Sequence, residues 1–263
     1  MTTVLLFVPG DRPERFPKAA AAGPDRVIID LEDAVAPGNK VAARAAAVAA
    51  LGAGLQAIVR INPPHEREGA ADLAALGAYP PLALLVPKVG DPTDIALARA
   101  ALPGVPLYAL IESIAGIRAL ERIATAPGLI GLAFGAYDLC AELGARVTPE
   151  VIAPWRAQVV LAARAAGIAA IDTPYVNIED EAGLAADAHR AVDFGFDGKL
   201  AIHPKQIAGI RAAFVPTAAE LARARAIVKA GGSGGATKVD GSMIDGPVIA
   251  AAHRVIERAG VEA

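Results

Sequence analysis

The sequence predicts an α/β protein whose main body is a (β/α)8 TIM barrel followed by a C-terminal helical arm or lid. Three observations carry that expectation. Eight short runs rich in aliphatic and β-branched residues alternate with alanine-rich amphipathic stretches. Each run is closed by a charged or polar residue. The length of 263 residues suits one such barrel without division into smaller domains.

In chain order the runs are VLLFV from Val4, VIID from Val27, AIVRI from Ala57, LALLVP from Leu82, LYALI from Leu107, LIGLAF from Leu129, IAAID from Ile168 and GKLAIH from Gly198. Near-continuous apolar strands separated by helices belong to a parallel sheet that helices cover. The helical patterns fall at 12–22, 40–51, 66–76, 93–101, 117–124, 149–166, 179–192 and 204–214. The polar ends are Asp11 and Arg12, Glu32 and Asp33, Arg60 and Asn62, Lys88, Glu112, Asp138, Asp172 and His203. A barrel gathers such ends on one face, where active sites sit. An open doubly wound sheet is the alternative, but no GxGxxG follows the first run. The barrel is expected over 1–215 and the arm and lid over 216–263. There a helix at 218–230 leads into GGSGG (231–235), then ATKVDGSMIDGPVI, then a last helix from Val248. GGSGG reads as a flexible tether, since it lacks the Gly-Lys-Ser/Thr ending of a phosphate loop.

With 54% hydrophobic and 20% charged residues there is ample material for a core. The net charge of −3, without a Lys/Arg cluster, argues against nucleic acid, so an anionic substrate needs a local cationic pocket. The single cysteine, Cys140, excludes an intrachain disulfide and suits a reducing compartment. The first apolar run is too short for a signal peptide, and nothing approaches a membrane span. A cytoplasmic protein is expected.

Glu112 and Asp138 close consecutive runs, which sets two carboxylates over one site. Such a pair suits a hard cation completed by waters and a bidentate substrate, and the absence of a nearby His/Cys set argues against zinc. From these residues alone, a salt-bridged structural pair is an equal reading. Arg60 can bind a substrate carboxylate bidentately or clamp Glu32 or Asp33. Glu32 and Asp33 read as acids behind the metal ligands, orienting metal waters and Arg60, although Asp33 also suits a helix cap. Pro9, Gly10, Asp11 and Arg12 form a turn whose amides can face an anion, or simply a capped turn. Lys88 is expected to pair with an acid rather than form a Schiff base. Asp172 and His203 read as structural, and Cys140 as packing. Asp245, before Gly246-Pro247, reads first as a turn or helix cap.

ALIESIAGI (109–117) and LAFGAYDLCAELG (132–144) resemble the metal-binding motifs of the family that contains the citrate lyase β subunit and the HpcH/HpaI aldolases. LFVPGDRPERFPKA (6–19), VIIDLEDAV (27–35), KVAAR (40–44), VRIN (59–62), LLVPKV (84–89), GFDGKLAIHPKQI (195–207) and MIDGPV (243–248) resemble its citrate lyase β-like branch, which includes malyl-CoA and citramalyl-CoA lyases. The resemblance implies magnesium on Glu112 and Asp138, and substrate contacts from Arg60, Gly135, Ala136, Pro9 and Gly10. It also implies that Asp245 is a catalytic acid/base closing over a neighbouring subunit in a trimer or dimer of trimers. Lys40 and Arg44, one helical turn apart, then read as solvated charge or as contacts to coenzyme A phosphates. Tyr137 departs from the family, which often has Glu there. The implied activity is a magnesium-dependent lyase joining or parting an acyl-CoA and an α-keto acid. An aldolase on free pyruvate or oxaloacetate, an acyl-CoA thioesterase, and a non-catalytic subunit or metabolite sensor are the alternatives.

Overall fold

Strands buried on both faces must sit between a packed interior and a helical coat, and a closed barrel provides both. The computed structural model describes residues 4–231, 237–239 and 242–260. The chain divides into two compact units, one ending at Ile210 and one beginning at Arg211.

In the first unit eight parallel strands close in sequence order: β1 (Val4–Pro9), β2 (Arg26–Asp30), β3 (Ala57–Arg60), β4 (Ala83–Val86), β5 (Leu107–Ile111), β6 (Leu129–Phe134), β7 (Ala169–Asp172) and β8 (Gly198–Ala201). β1 completes the ring by pairing Leu5 with Arg26 on β2 and with Leu200 on β8. The architecture is the TIM barrel. Leu5, Ile28, Ile58, Leu85, Leu110, Ala133, Ile171 and Leu200 fill its interior. Side chains alternate along a strand, so the next inward positions toward the carboxyl ends are Phe7, Asp30, Arg60, Glu112, Gly135 and Thr173. An apolar layer thus floors a polar one.

The coat comprises α1 (Phe16–Ala21), α2 (Lys40–Gly52), α3 (Arg67–Leu76), α4 (Pro92–Ala101), α5 (Ile114–Arg118), α6 (Leu120–Ala124), α7 (Ala136–Leu143), α8 (Pro149–Ala166) and α9 (Glu181–Phe194), and α10 (Gln206–Phe214) leads from the first unit into the second. Three features differ from expectation. The helix expected at 12–22 opens as a 3-10 turn over Pro13–Arg15, because Pro13 and Pro17 bring no amides to its start. The helix expected at 117–124 is two helices: Ser113 caps the first by accepting the Gly116 amide, and Ala119 (φ −100°, ψ 5°) breaks the run. The short α7 follows β6 at once and ends at Gly144, whose φ of 67° is left-handed.

The second unit holds α11 (Ala218–Gly231), an antiparallel pair β9 (Thr237–Val239) and β10 (Ser242–Ile244), and α12 (Gly246–Arg258). Ala224, Ile227, Ile244, Ala252 and Ile256 form its core. At Gly231 a β-carbon would run into the side chain of Ile249 on α12, so this glycine serves close helix packing. The remainder of the expected tether, 232–235, lies outside the described residues. No helix among the described residues is long and apolar enough to cross a membrane.

Candidate magnesium and carboxylate site

The polar layer begins with Asp30, 1% exposed at the end of β2. Its two oxygens accept Arg60 Nε and Nη2 at 2.7 and 2.6 Å, and also the amides of Glu32 (2.9 Å) and Ala34 (3.1 Å). Arg60 Nη1 lies 3.1 Å from Glu32 Oε2 and 3.8 Å from Asp33 Oδ2, while the guanidinium stacks 4.8 Å from the Phe7 ring. A buried clamp therefore exists, built chiefly on Asp30. Sequence reading passed over Asp30, although its place two residues after the core residue Ile28 marks it as inward-facing. Burial opposes charge on Arg60, but Asp30 and Glu32 outweigh it and raise its pKa.

Glu32 pairs with Lys88 Nζ at 2.8 Å. Its two buried oxygens are held by these ion pairs alone, without good hydrogen-bond geometry. Burial chiefly raises its pKa, against the pull of Arg60 and Lys88. Asp33 lies in a half-exposed turn and caps no helix, since α2 begins at Lys40. The two cations expected as solvated or phosphate-binding are engaged within the fold. Lys40 donates to the carbonyls of Leu31 and Glu32, both at 2.7 Å, and Arg44 pairs with Asp72 (2.7 Å) and Glu68 (2.6 Å).

Lys88 is the one described residue other than glycine with a left-handed backbone, at φ 49°. An L-residue held there is strained, and the surroundings must over-determine it. Here the amide donates to Glu112 Oε1 at 2.8 Å while the ammonium reaches Glu32. Glu112 is 3% exposed. Its carboxylate lies against Gly135, where a β-carbon would fall 2.5 Å from Glu112 Cβ and 2.7 Å from Oε2. Burial first, then the charges of Glu32 and Asp138, push the Glu112 carboxyl well above its ordinary range. Asp138 is exposed in the first turn of α7, four residues beyond the end of the expected strand at Phe134. Ala136 is fully buried, and its amide donates to Thr173 Oγ1 at 3.1 Å. The Gly10 amide donates to Asp30 O at 2.8 Å and the Arg12 amide to Pro9 O at 3.1 Å, so this turn seats the end of β2.

The remaining candidates are placed elsewhere. Asp172 faces outward from β7 into a sealed quartet with Arg156 of α8, Asp187 of α9 and Lys199 of β8. Its partners carried no sequence signal, because each reads as an ordinary charge on its element. His203 Nδ1 accepts the Lys205 amide at 3.2 Å and borders a cleft of about 360 Å³ that also takes in Phe7, Pro9, Arg15 and Lys18. Cys140 is buried on α7. Burial chiefly raises the pKa of the half-buried Tyr137 hydroxyl, against the pull of the Val176 backbone. In the second unit Asp245 caps α12, accepting the Val248 amide at 3.4 Å.

Asp30, Glu32, Asp33, Glu112 and Asp138 thus gather at the mouth around the two cations Arg60 and Lys88. Among the described residues no three His, Cys, Asp or Glu side chains form a ready metal cage. A buried and an exposed carboxylate, amid a local excess of acid, suit a hard divalent cation that keeps waters and takes substrate oxygens.

Solved structures share this fold and length. The chain is 37% identical to protein CitE from Mycobacterium tuberculosis in complex with magnesium, acetoacetate and coenzyme A, with a TM-score of 0.90 and 98% of each chain covered. It is 33% identical to CitE in complex with magnesium and pyruvate, with a TM-score of 0.79 and 97% of each chain covered. A (3S)-malyl-CoA thioesterase from Cereibacter sphaeroides is 36% identical over 97% of this chain and 93% of its own. The profile of the HpcH/HpaI aldolase/citrate lyase family matches residues 3–204, and the chain belongs to that family.

Proposed function

We propose that the protein is a magnesium-dependent lyase that cleaves or forms the carbon–carbon bond of a carboxylated β-hydroxyacyl-coenzyme A thioester, with an acyl-CoA and an α-keto acid as the other side of the reaction. The observation that carries this reading is the pairing of buried Glu112 with exposed Asp138 at a mouth where acids outnumber cations. The CitE complexes with magnesium and keto acids support the choice of metal.

Glu112 and Asp138 would hold the cation, leaving its other positions to water and substrate. When bound, magnesium supplies a Lewis acid and template for the keto acid's carboxylate and adjacent oxygen. Arg60, with Nε and Nη2 committed to Asp30 and Nη1 beside Glu32, would turn the remaining N–H of Nη1 to charge growing on a substrate oxygen. Glu32 and Asp33 orient Arg60 and the metal's waters. Gly135 leaves room for the Glu112 carboxylate, while Ala136, Pro9 and Gly10 shape the wall beside the substrate. In cleavage the hydroxyl loses its proton, the electron pair of the breaking C–C bond moves to the thioester's α-carbon, and Asp245 delivers a proton there. Arg15, Lys18 and His203 along the cleft by β1 would receive the anionic end of coenzyme A. The setting is cytoplasmic and the assembly a homo-oligomer, a trimer or dimer of trimers.

The test is a panel of carboxylated β-hydroxyacyl-CoA thioesters incubated with and without magnesium. Appearance of acyl-CoA plus keto acid, abolished by a chelator and in Glu112→Gln and Asp138→Asn, is the expected result. Turnover that survives chelation, or that persists in both variants, overturns it. The thioesterase relative makes hydrolysis the second reading. Free coenzyme A with an intact hydroxy acid would decide for that reading.

A further inference from the structure

Thr173 holds a position that the proposed chemistry does not itself use. It follows Ile171 by two residues at the end of β7, so its side chain enters the polar layer above the apolar floor. It is 2% exposed and tied at both ends. Its hydroxyl accepts the Ala136 amide at 3.1 Å, and its carbonyl accepts Lys199 Nζ at 2.7 Å.

These two bonds join parts of different character. Lys199 belongs to the sealed quartet, where its ammonium also meets Asp172 and Asp187 at 2.6 Å each. That cluster is locked between strand and helix layers by paired charges that no movement can separate cheaply. Ala136 is the first residue of α7, a helix of only eight residues. Its amide is one of the donors a helix leaves without an intrahelical partner, and Gly135, the residue before it, has no side chain to cap the helix. Asp138 is two residues farther along the same first turn. A shift of that turn would also carry Gly135 away from the Glu112 carboxylate it abuts.

We propose that Thr173 is the positioning residue of the carboxylate pair, transmitting the rigidity of the buried quartet to the first turn of α7 and so fixing Asp138 relative to Glu112. The idea rests on the reading of Glu112 and Asp138 as magnesium ligands. Thr173 touches neither metal nor substrate in this scheme, and its effect is on where a ligand stands.

The experiment uses the full chain, stripped of metal by a chelator. It compares wild type with Thr173→Val, Thr173→Ser and Ile171→Val. Calorimetry gives the magnesium Kd, thermal melting gives the metal-free Tm, and hydrogen exchange follows the peptide that spans α7. Thr173→Val is nearly isosteric but leaves the Ala136 amide facing a methyl group. It should weaken magnesium at least about tenfold, as loss of an outer-shell partner does, and speed exchange in α7 beyond any global change. Thr173→Ser keeps the acceptor and should restore both. Ile171→Val lies in the apolar floor of the same strand, so it should lower the Tm while leaving magnesium affinity and α7 exchange unchanged. Should Thr173→Val not fold, Thr173→Ala removes the same acceptor and is read by the same measures. Unchanged affinity and unchanged α7 exchange in Thr173→Val overturn the proposal, as does an equal loss in Ile171→Val. Failure of wild type to bind magnesium instead defeats the metal reading. The exchange data would then still decide whether Thr173 fixes α7.

Discussion

Arg60 meets three acids with one guanidinium, and the division of its donors settles what a substitution does. Nε and Nη2 close a two-point contact on Asp30, and Nη1 serves Glu32. A lysine at 60 keeps the charge but can satisfy only part of this set, leaving buried Asp30 or Glu32 short of a partner. Arg60→Lys should therefore cost about 2 kcal/mol in denaturant melts as well as a severe loss of kcat/KM. An unchanged melt alongside collapsed kinetics would mean that the clamp contributes no stability. The sequence alone pointed to Arg60, Glu32 and Glu112, because a charged residue closing an apolar run is visible in one dimension, and to Asp138 as the first acid after such a run, although it stands in the helix that follows. Asp30 was hidden by standing inside its run, where it read as the last strand residue. The left-handed backbone of Lys88 was hidden too, since nothing in Pro-Lys-Val announces a positive φ at a residue with a β-carbon.

At the scale of elements, the quartet binds β7, β8, α8 and α9 with four buried charges. Burial works to raise the Asp187 pKa, but Lys199 and Arg156 outweigh it and hold the carboxyl below its ordinary range. A carboxyl depressed in the folded state adds stability above its unfolded pKa of about 4, and that stability is lost as pH falls through the lower folded value. Asp187→Asn should be less stable than wild type at neutral pH. Its Tm should also fall less steeply on acidification below about pH 4. Parallel Tm-against-pH curves for the two proteins would remove Asp187 from the acid transition. Strands were legible to within a residue or so at their starts because apolar runs of this length have no other stable use between helices. α7 was legible only as an apolar helix start around Cys140, without bounds: its eight residues follow β6 at once, and its glycine N-cap carries none of the usual side-chain marks. The pair β9 and β10 escaped for a related reason, since three-residue strands are shorter than any periodicity.

At the scale of the whole molecule, Asp245 belongs to a second unit with its own core, apart in sequence from the acids of the barrel. We propose that it serves a neighbouring subunit's site, and complementation tests that directly. Asp245→Asn and Glu112→Gln should each be inactive alone, and mixed oligomers of the two should regain turnover, because some sites combine an intact metal pair with an intact aspartate. Verified mixed oligomers without recovery would place Asp245 at its own chain's site. Full activity of Asp245→Asn would leave it as the cap of α12 that the Val248 amide already makes it. The apolar floor of the barrel has a consequence for how such sites fill. Leu5, Ile28, Ile58, Leu85, Leu110, Ile171 and Leu200 form a plug of low polarisability beneath the carboxylates. That floor carries no ionisable side chain, so within the barrel the charges that answer the acids are those of the mouth. The barrel is in this respect a one-ended lens for cations: a divalent ion arriving at the mouth is drawn inward along a single axis, and an anionic keto acid can follow once that ion has offset the acids.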